Sequence, residues 1–221
     1  MEQPPHYSPL YRTLRATNPQ DYQRIIREYE RQEQEIGHLD VVEYFELTCA
    51  YVDALFETGA YRRHQLMVDL VIHASIQHNL HRAPGIERDI FHHSLFRKAA
   101  SAYRIQEYGT AIHVLRELIR MDPGEFLYGR FLRAALFRAQ ASVLQFGRAA
   151  FIFCMLLTAF LITLNLLFVK PFYPDEVRVM QFAILDTWLI GILLLVGSYG
   201  LAFWRAHRET RAFQQAAENK G

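Results

Sequence analysis

Cysteine is scarce in this chain of 221 residues, which contains only Cys49 and Cys154. Cys49 falls in a predicted water-exposed helical region, whereas Cys154 lies inside a long apolar run. A disulfide needs two Cα atoms within about 7 Å of each other, so we expect no bridge between them. This excludes a disulfide-stabilised scaffold and favours a reducing compartment.

The chain also lacks an excess of positive or negative charge. The chain has 24 Lys and Arg residues against 23 Asp and Glu residues. Binding to nucleic acid needs a clustered basic surface, so we expect no nucleic-acid partner. The first residues also lack a basic start followed by an apolar stretch, and they therefore predict no secretory signal peptide.

Signatures of catalysis are absent too. The sequence has neither a glycine-rich phosphate loop nor an HExxH motif, and no neighbouring base is apparent for Cys49. Several histidines lie close together, but their spacing does not match paired metal ligands on a helix; they are His73, His78, His81, His92 and His93. We expect no enzyme activity, cofactor or metal, and a histidine-dependent metalloenzyme is the remote alternative.

Apolar residues are abundant near the C-terminus. Residues 149–169 contain no charge over 21 positions, and residues 179–204 contain only Asp186. About 20 apolar residues cross a hydrocarbon core of ~30 Å, so both segments predict transmembrane helices. Core helices of a soluble protein are the alternative, but two successive segments of this kind favour a membrane hairpin closed by the loop 170–178, which contains two prolines.

Basic residues near the two predicted spans indicate the orientation of this hairpin. Eight of them lie on the side of the termini, namely Arg130, Arg133, Arg138, Arg148, Arg205, Arg208, Arg211 and Lys220, against Lys170 and Arg178 in the loop. This asymmetry predicts that both termini are cytosolic and that residues 205–221 form a cytosolic tail. We expect an integral protein of a bacterial cytoplasmic membrane.

Two polar residues interrupt the predicted spans. Antiparallel geometry places Asn165 and Asp186 at similar depth, and we expect a hydrogen bond between them because an unpaired polar group in lipid is costly. The alternatives are that Asp186 reaches the outer headgroups, pairs with Lys170, or belongs to an ion pathway. Glycines at 191, 197 and 200 could allow close contact between the helices.

The first 124 residues predict helices separated by turns. We expect a helix from Asn18-Pro19 to Ile36, with apolar residues on one stripe, and another from Asp40 to Gly59. Further helices are predicted at 60–81, 86–105 and 107–121. Residues 125–148 predict a basic capping helix beside the membrane, where Arg130, Arg133, Arg138 and Arg148 could contact anionic lipids.

Residues 98–123 resemble a tetratricopeptide repeat. Ala99, Tyr108, Ala111, Leu115 and Pro123 match its small, aromatic, apolar and closing positions, whereas Gln106 replaces the turn glycine and Leu118 a small residue. Residues 51–74 resemble a second copy through Gly59 and Tyr61, with His64 in place of alanine, and Tyr22 with Ile25 could mark a third. The resemblance implies an all-α fold: a solenoid of helical hairpins over roughly residues 7–125, followed by the transmembrane hairpin.

The tetratricopeptide resemblance also implies a groove for a peptide or partner helix. Its lining would be Glu46, Cys49, Asp53, Phe56 and Glu57 from one repeat, and His93, Phe96, Ala100, Tyr103 and Arg104 from the next. The basic clamp that some members use for a C-terminal carboxylate is replaced here by Asp53, Phe96 and Ala100. We expect an adaptor or scaffold that recruits a protein to the cytosolic face of a membrane; the alternative is an accessory subunit of a membrane complex or transporter.

Overall fold

The computed structural model describes residues 8–78 and 89–218, and over these ranges the chain is helical without a strand. The all-α prediction is confirmed. The chain divides into two compact units, Met1–Tyr128 and Gly129–Gly221, which we describe separately. The predicted roles of His81, of the helix start at 86–88 and of Lys220 lie outside the described residues.

The first unit contains seven helices within its described residues, and the eighth begins in it. They are α1 Pro9–Arg15, α2 Tyr22–Arg31, α3 Glu33–Ile36, α4 Val41–Glu57, α5 Tyr61–Gln77, α6 Ile90–Arg104 and α7 Tyr108–Met121. Helix α4 contacts α5, α5 contacts α6 and α6 contacts α7, so helices that follow each other in sequence are neighbours in space.

Short polar side chains fix where several of these helices begin. Asp40 accepts a hydrogen bond from the backbone amide of Val42 at 3.3 Å, which confirms the predicted start of α4. The start predicted at Asn18-Pro19 is wrong, because Asn18 caps a turn and Asp21 is the N-cap of α2. The predicted continuous helix to Ile36 is interrupted at Gln32.

Apolar side chains of α2 to α5 form the core of the first unit. The predicted stripe contributes Ile26, Tyr29 and Ile36, all buried. Tyr29 stacks on Tyr51 with ring centroids 4.1 Å apart and shares a 3.1 Å hydrogen bond with Thr48. The tyrosine hydroxyl is thereby satisfied inside the core, as burial of a polar group requires.

The turns that follow α4 and α6 have the same geometry. Gly59 and Gln106 both have positive φ, 78° and 68°. In each turn, the amide of the next residue donates a hydrogen bond to a carbonyl of the preceding helix. Ala60 donates to Leu55 and Glu107 donates to Ala102, each at 2.9 Å. Both are Schellman caps, and they show that Gln106 occupies a position that favours glycine.

The second unit is a helical hairpin with extensions. Its helices are α8 Phe126–Ala139, which begins in the first unit, then α9 Ala141–Leu164, the short α10 Lys170–Phe172 and the 42-residue α11 Val177–Glu218. A π-helical turn, Asn165–Val169, joins α9 to α10. The predicted capping helix 125–148 is therefore broken at Gln140, and the predicted tail continues α11 to Glu218.

Two helical stretches of this unit are long and apolar enough to cross a membrane, Ala141–Phe172 and Val177–Ala217. Only 17% and 6% of their most apolar windows are buried inside the protein. At 1.5 Å per residue, α11 is about 60 Å long, roughly twice the thickness of a hydrocarbon core. A membrane would therefore surround only part of it.

Candidate functional site

The candidate recognition face lies on α4 and α6, where the sequence predicts the groove. Asp53, Phe56 and Glu57 lie on neighbouring turns of α4 and face α6. Their spacing of three and four residues places them on one side of a helix. The structure therefore brings together the predicted acidic and aromatic side chains of α4.

Arg97 of α6 is the centre of this face, and the sequence analysis did not identify it. Its Nη1 donates to Asp53 Oδ1 at 3.1 Å, and its Nη2 donates to Glu57 Oε1 at 2.8 Å. The guanidinium also lies 4.8 Å from the ring centroid of Phe56. One arginine thus engages three of the predicted groove residues through ion pairs and a cation–π contact.

A cavity of about 240 Å³ lies beside this ion-pair network, lined by Cys49, Val52, Asp53, Val71, Ile90, His93, Ser94 and Arg97. His93 Nε2 is 3.9 Å from Asp53 Oδ1. Desolvation raises the pKa of Asp53, while Arg97 and His93 offset part of that rise. The lining of the cavity therefore combines apolar side chains with an acidic and a basic one.

Glu46 belongs to a different environment from the rest of the predicted groove. It is buried, and its Oε2 accepts hydrogen bonds from Tyr11 and Arg15 of α1. Burial and the hydrogen bond to Glu46 raise the pKa of Tyr11 to about 12. Glu46 therefore lies apart from the α4–α6 face and lines a separate cavity of about 340 Å³ with residues of α1 and α2. Helix α1 was not anticipated from Ser8-Pro9.

The remaining predicted residues of α6 lie on both sides of Arg97 in the sequence. Phe96 packs against Tyr128 with ring centroids 5.8 Å apart, and Tyr103 makes an edge contact with Tyr108 at 5.6 Å. Arg104 is exposed near the end of α6. Phe96 and Tyr103 therefore take part in aromatic contacts of the first unit, and Arg104 is available at its surface.

Nucleophile and metal chemistry have little support in the described part of the chain. Burial raises the pKa of the Cys49 thiol well above its ordinary value, so this side chain is not a reactive thiolate. Among the described residues, no group of three or more His, Cys, Asp and Glu side chains could hold a metal ion.

Small residues line the contact between α9 and α11. Cys154 and Thr158 of α9 and Ser198 and Ala202 of α11 are buried, and a Cβ at Gly191 would lie 2.8 Å from Cys154 Cβ. A Cβ at Gly147 would collide with Ser198. Only Gly191 of the three predicted contact glycines lies in this seam, since a Cβ at 197 or 200 would meet nothing within 4 Å.

The predicted hydrogen bond between Asn165 and Asp186 is absent. Asn165 is buried with no hydrogen-bond partner for its Oδ1, whereas Asp186 is exposed. Asp186 precedes the seam residue Gly191 by five positions, or about 140° around a helix of 3.6 residues per turn. The two polar side chains therefore lie on different faces of the hairpin despite their similar predicted depth.

The four predicted lipid-facing arginines differ in their surroundings. Arg130, Arg138 and Arg148 are exposed, whereas Arg133 is half-buried. Arg148 donates to the hydroxyl of Tyr199 through both Nε, at 3.0 Å, and Nη2, at 2.7 Å. Tyr199 was missed in the sequence because an isolated tyrosine in an apolar run carries no pattern.

Comparison with protein-family models, with curated proteins and with solved structures gives no significant match. The tetratricopeptide resemblance therefore depends on sequence positions alone, and a tetratricopeptide-like solenoid of helical hairpins stays a prediction.

Proposed function

We propose that the chain is a membrane-anchored adaptor whose α9–α11 hairpin spans the bilayer and whose first unit binds a protein in the cytosol. The observation that carries this proposal is the distribution of side chains in the hairpin, which is the reverse of that in a water-soluble helix pair. Large apolar residues such as Phe153, Leu156 and Leu193 are more than 60% exposed, whereas glycine, cysteine, serine and threonine fill the seam.

A pair of helices in water buries its largest apolar side chains, because the hydrophobic effect scales with apolar area. In a bilayer the lipid tails already solvate those side chains, and helices associate through small residues that allow close approach. The α9–α11 hairpin follows the second pattern. The excess of basic residues beside both termini supports a cytosolic location for the termini.

The α4–α6 face is the proposed recognition surface. Its ion pairs between Arg97, Asp53 and Glu57 are partly exposed, with Asp53 at 47% and Glu57 at 38%. Because partly exposed pairs contribute about 1 kcal/mol each or less, a partner can replace them at modest cost. A peptide or helix with both acidic and basic side chains would find complementary groups here.

Affinity purification of the full-length chain from gently solubilised membranes tests recruitment. We expect specific cytosolic proteins to co-purify with the wild type and to be lost from Arg97→Glu. Arg63→Glu is the matched control, because Arg63 makes an ion pair with Glu30 of α2, outside the α4–α6 face. Equal recovery of partners with all three chains would contradict the proposed surface.

Membrane topology is tested separately by thiol labelling. Both natural cysteines are buried, so a cysteine introduced at Glu176, in the turn before α11, would give a selective signal. We expect an impermeant reagent to label Glu176→Cys only from outside the cell and Glu107→Cys only after lysis. Labelling of both positions from the same side refutes the spanning hairpin.

A second function, an accessory subunit of a membrane complex, is favoured by the exposed Asp186. A carboxylate that faces lipid in the second apolar helix needs a partner, and another transmembrane protein could supply a basic or hydrogen-bonding group. If the chain is an accessory subunit, Asp186→Leu should abolish co-purification with membrane proteins, and Arg97→Glu should not. If the chain is an adaptor, Arg97→Glu should abolish co-purification with cytosolic proteins, and Asp186→Leu should not.

A further inference from the structure

A groove of about 870 Å³ lies on the surface of the α9–α11 hairpin. Its walls are apolar and include Phe151 and Ile152 of α9, Val196 and Phe203 of α11, and Phe137 of α8. Ile152, Val196 and Phe203 are each more than 55% exposed. Exposed apolar surfaces of this kind suit a hydrocarbon chain.

The polar part of the groove is formed by Arg148 and Tyr199, both of which line it. Nε and Nη2 of Arg148 donate to the Tyr199 hydroxyl at 3.0 and 2.7 Å, and this holds the guanidinium in one orientation. Nη1 and the hydroxyl proton of Tyr199 make no hydrogen bond within the described residues. Nη1 lies on the side of the guanidinium away from the Tyr199 hydroxyl, so the free edge of Arg148 is formed by Nη1 and the second proton of Nη2. Two parallel donors of this kind are the arrangement that phosphate oxygens accept.

Arg148 also lies at the depth of a lipid headgroup. It immediately precedes residues 149–169, which carry no charge, so the boundary between hydrocarbon and water falls close to its side chain in a membrane-inserted hairpin. On the side of Arg148 that faces the 170–178 turn, the apolar wall consists of Phe151 and Ile152 of α9 and Leu195 and Val196 of α11, whereas Phe203 lies on the side of the termini. A lipid with its phosphate on Arg148 would thus place an acyl chain along those four side chains.

We propose that this groove binds an anionic phospholipid, with its phosphate on Arg148 and Tyr199 and an acyl chain between α9 and α11. The charge of the groove favours an anionic headgroup over a zwitterionic one. Among the described residues that line it, Arg148 is the only charged one, and none of them is an acidic side chain that could receive a choline or ethanolamine cation. The proposal depends on the membrane insertion proposed above, but not on the protein-recruiting role.

Native mass spectrometry of the full chain, released from nanodiscs that contain equal phosphatidylglycerol and phosphatidylcholine, tests this site. We expect one phosphatidylglycerol to be retained in preference to phosphatidylcholine. Arg148→Gln should weaken retention about fivefold, the effect of one basic residue at an anionic surface, and Tyr199→Phe should weaken it less. Arg138→Gln, which removes an exposed arginine outside the groove, is the matched control and should weaken retention less than Arg148→Gln does.

Several results would overturn the proposal. Equal loss with Arg148→Gln and Arg138→Gln would indicate general surface attraction, and displacement of the lipid by millimolar inorganic phosphate would indicate a site for free phosphate. A chain that inserts into nanodiscs without lipid preference refutes the site but leaves the membrane anchor intact. A chain that fails to insert refutes both. Arg148→Lys, which keeps the charge, should retain more lipid than Arg148→Gln if both variants fold.

Discussion

His64 should make the stability of the first unit depend on pH. Its side chain is fully buried beneath Phe56, with the two ring centroids 5.3 Å apart. Nδ1 lies 3.0 Å from the Ser101 hydroxyl, which itself donates to the carbonyl of Lys98. Nδ1 must therefore carry the proton in that contact, and Nε2 is buried without a hydrogen-bond partner.

A second proton on His64 would place a charge at Nε2 in this enclosed position. Burial, reinforced by the positive charge of Arg97, lowers the pKa of His64 from 6.5 to about 4. Because the folded state binds this proton less readily than the unfolded state, stability is complete above pH 6.5 and is lost as the pH falls toward 4. A difference of that size corresponds to roughly 3 kcal/mol at full protonation and about 2 kcal/mol at pH 5.

Denaturant unfolding of the full chain in detergent micelles, followed at pH 7 and pH 5 by tyrosine circular dichroism, measures this loss. His64→Gln keeps a donor for Ser101 but does not titrate. Between pH 7 and pH 5, its free energy of unfolding should therefore fall by about 2 kcal/mol less than that of the wild type. His73→Gln, on the exposed side of the same helix, should behave like the wild type. The same pH dependence in wild type and His64→Gln would refute the reasoning.

Three further substitutions test the turns, the α4–α6 face and the seam. Gln106→Gly should stabilise the chain by up to about 1 kcal/mol, because its position has positive φ. Gly59→Gln should destabilise it by about the same amount or more for the same reason. Thermal unfolding measures both, and a destabilising Gln106→Gly or a stabilising Gly59→Gln would contradict the turn geometry. Arg97→Gln should cost about 1–2 kcal/mol because it leaves two carboxylates unpaired, whereas Arg63→Gln, in a more exposed pair, should cost less than about 1 kcal/mol; denaturant titration compares them. Gly191→Leu should lower the thermal stability of the hairpin in detergent by about 1–3 kcal/mol through a collision with Cys154, whereas Gly197→Leu should be tolerated; similar losses at both positions would argue against the seam.

The helices of the first unit were largely predictable because their signals are local. Asp40 as an N-cap, Gly59 as a C-terminal turn and the apolar stripe of α2 depend on residues three to five positions apart, and each appears as expected. The break at Gln32 was not anticipated, since glutamine is a good helix former and nothing adjacent in sequence signals an interruption.

Contacts between distant residues account for what the sequence could not predict. Arg97 lies 44 residues from Asp53 and 40 from Glu57, and Arg148 lies 51 from Tyr199. Only the packing of whole helices brings these groups together. For the same reason the covering of Glu46 by α1 was missed, because Arg15 is 31 residues away.

The two polar residues of the hairpin were expected to pair because they lie at similar depth. Their roles differ because they lie on different faces of their helices. Asn165 lies in the seam, at the start of the π-helical turn, so its side chain belongs to the internal structure of the hairpin. Asp186 lies away from the seam, and its carboxylate is available to whatever surrounds α11. Substitution of Asn165 should therefore act on the stability of the isolated chain, whereas substitution of Asp186 should act on its associations. The comparison of these two positions separates a hairpin that only anchors the protein from one that also takes part in assembly.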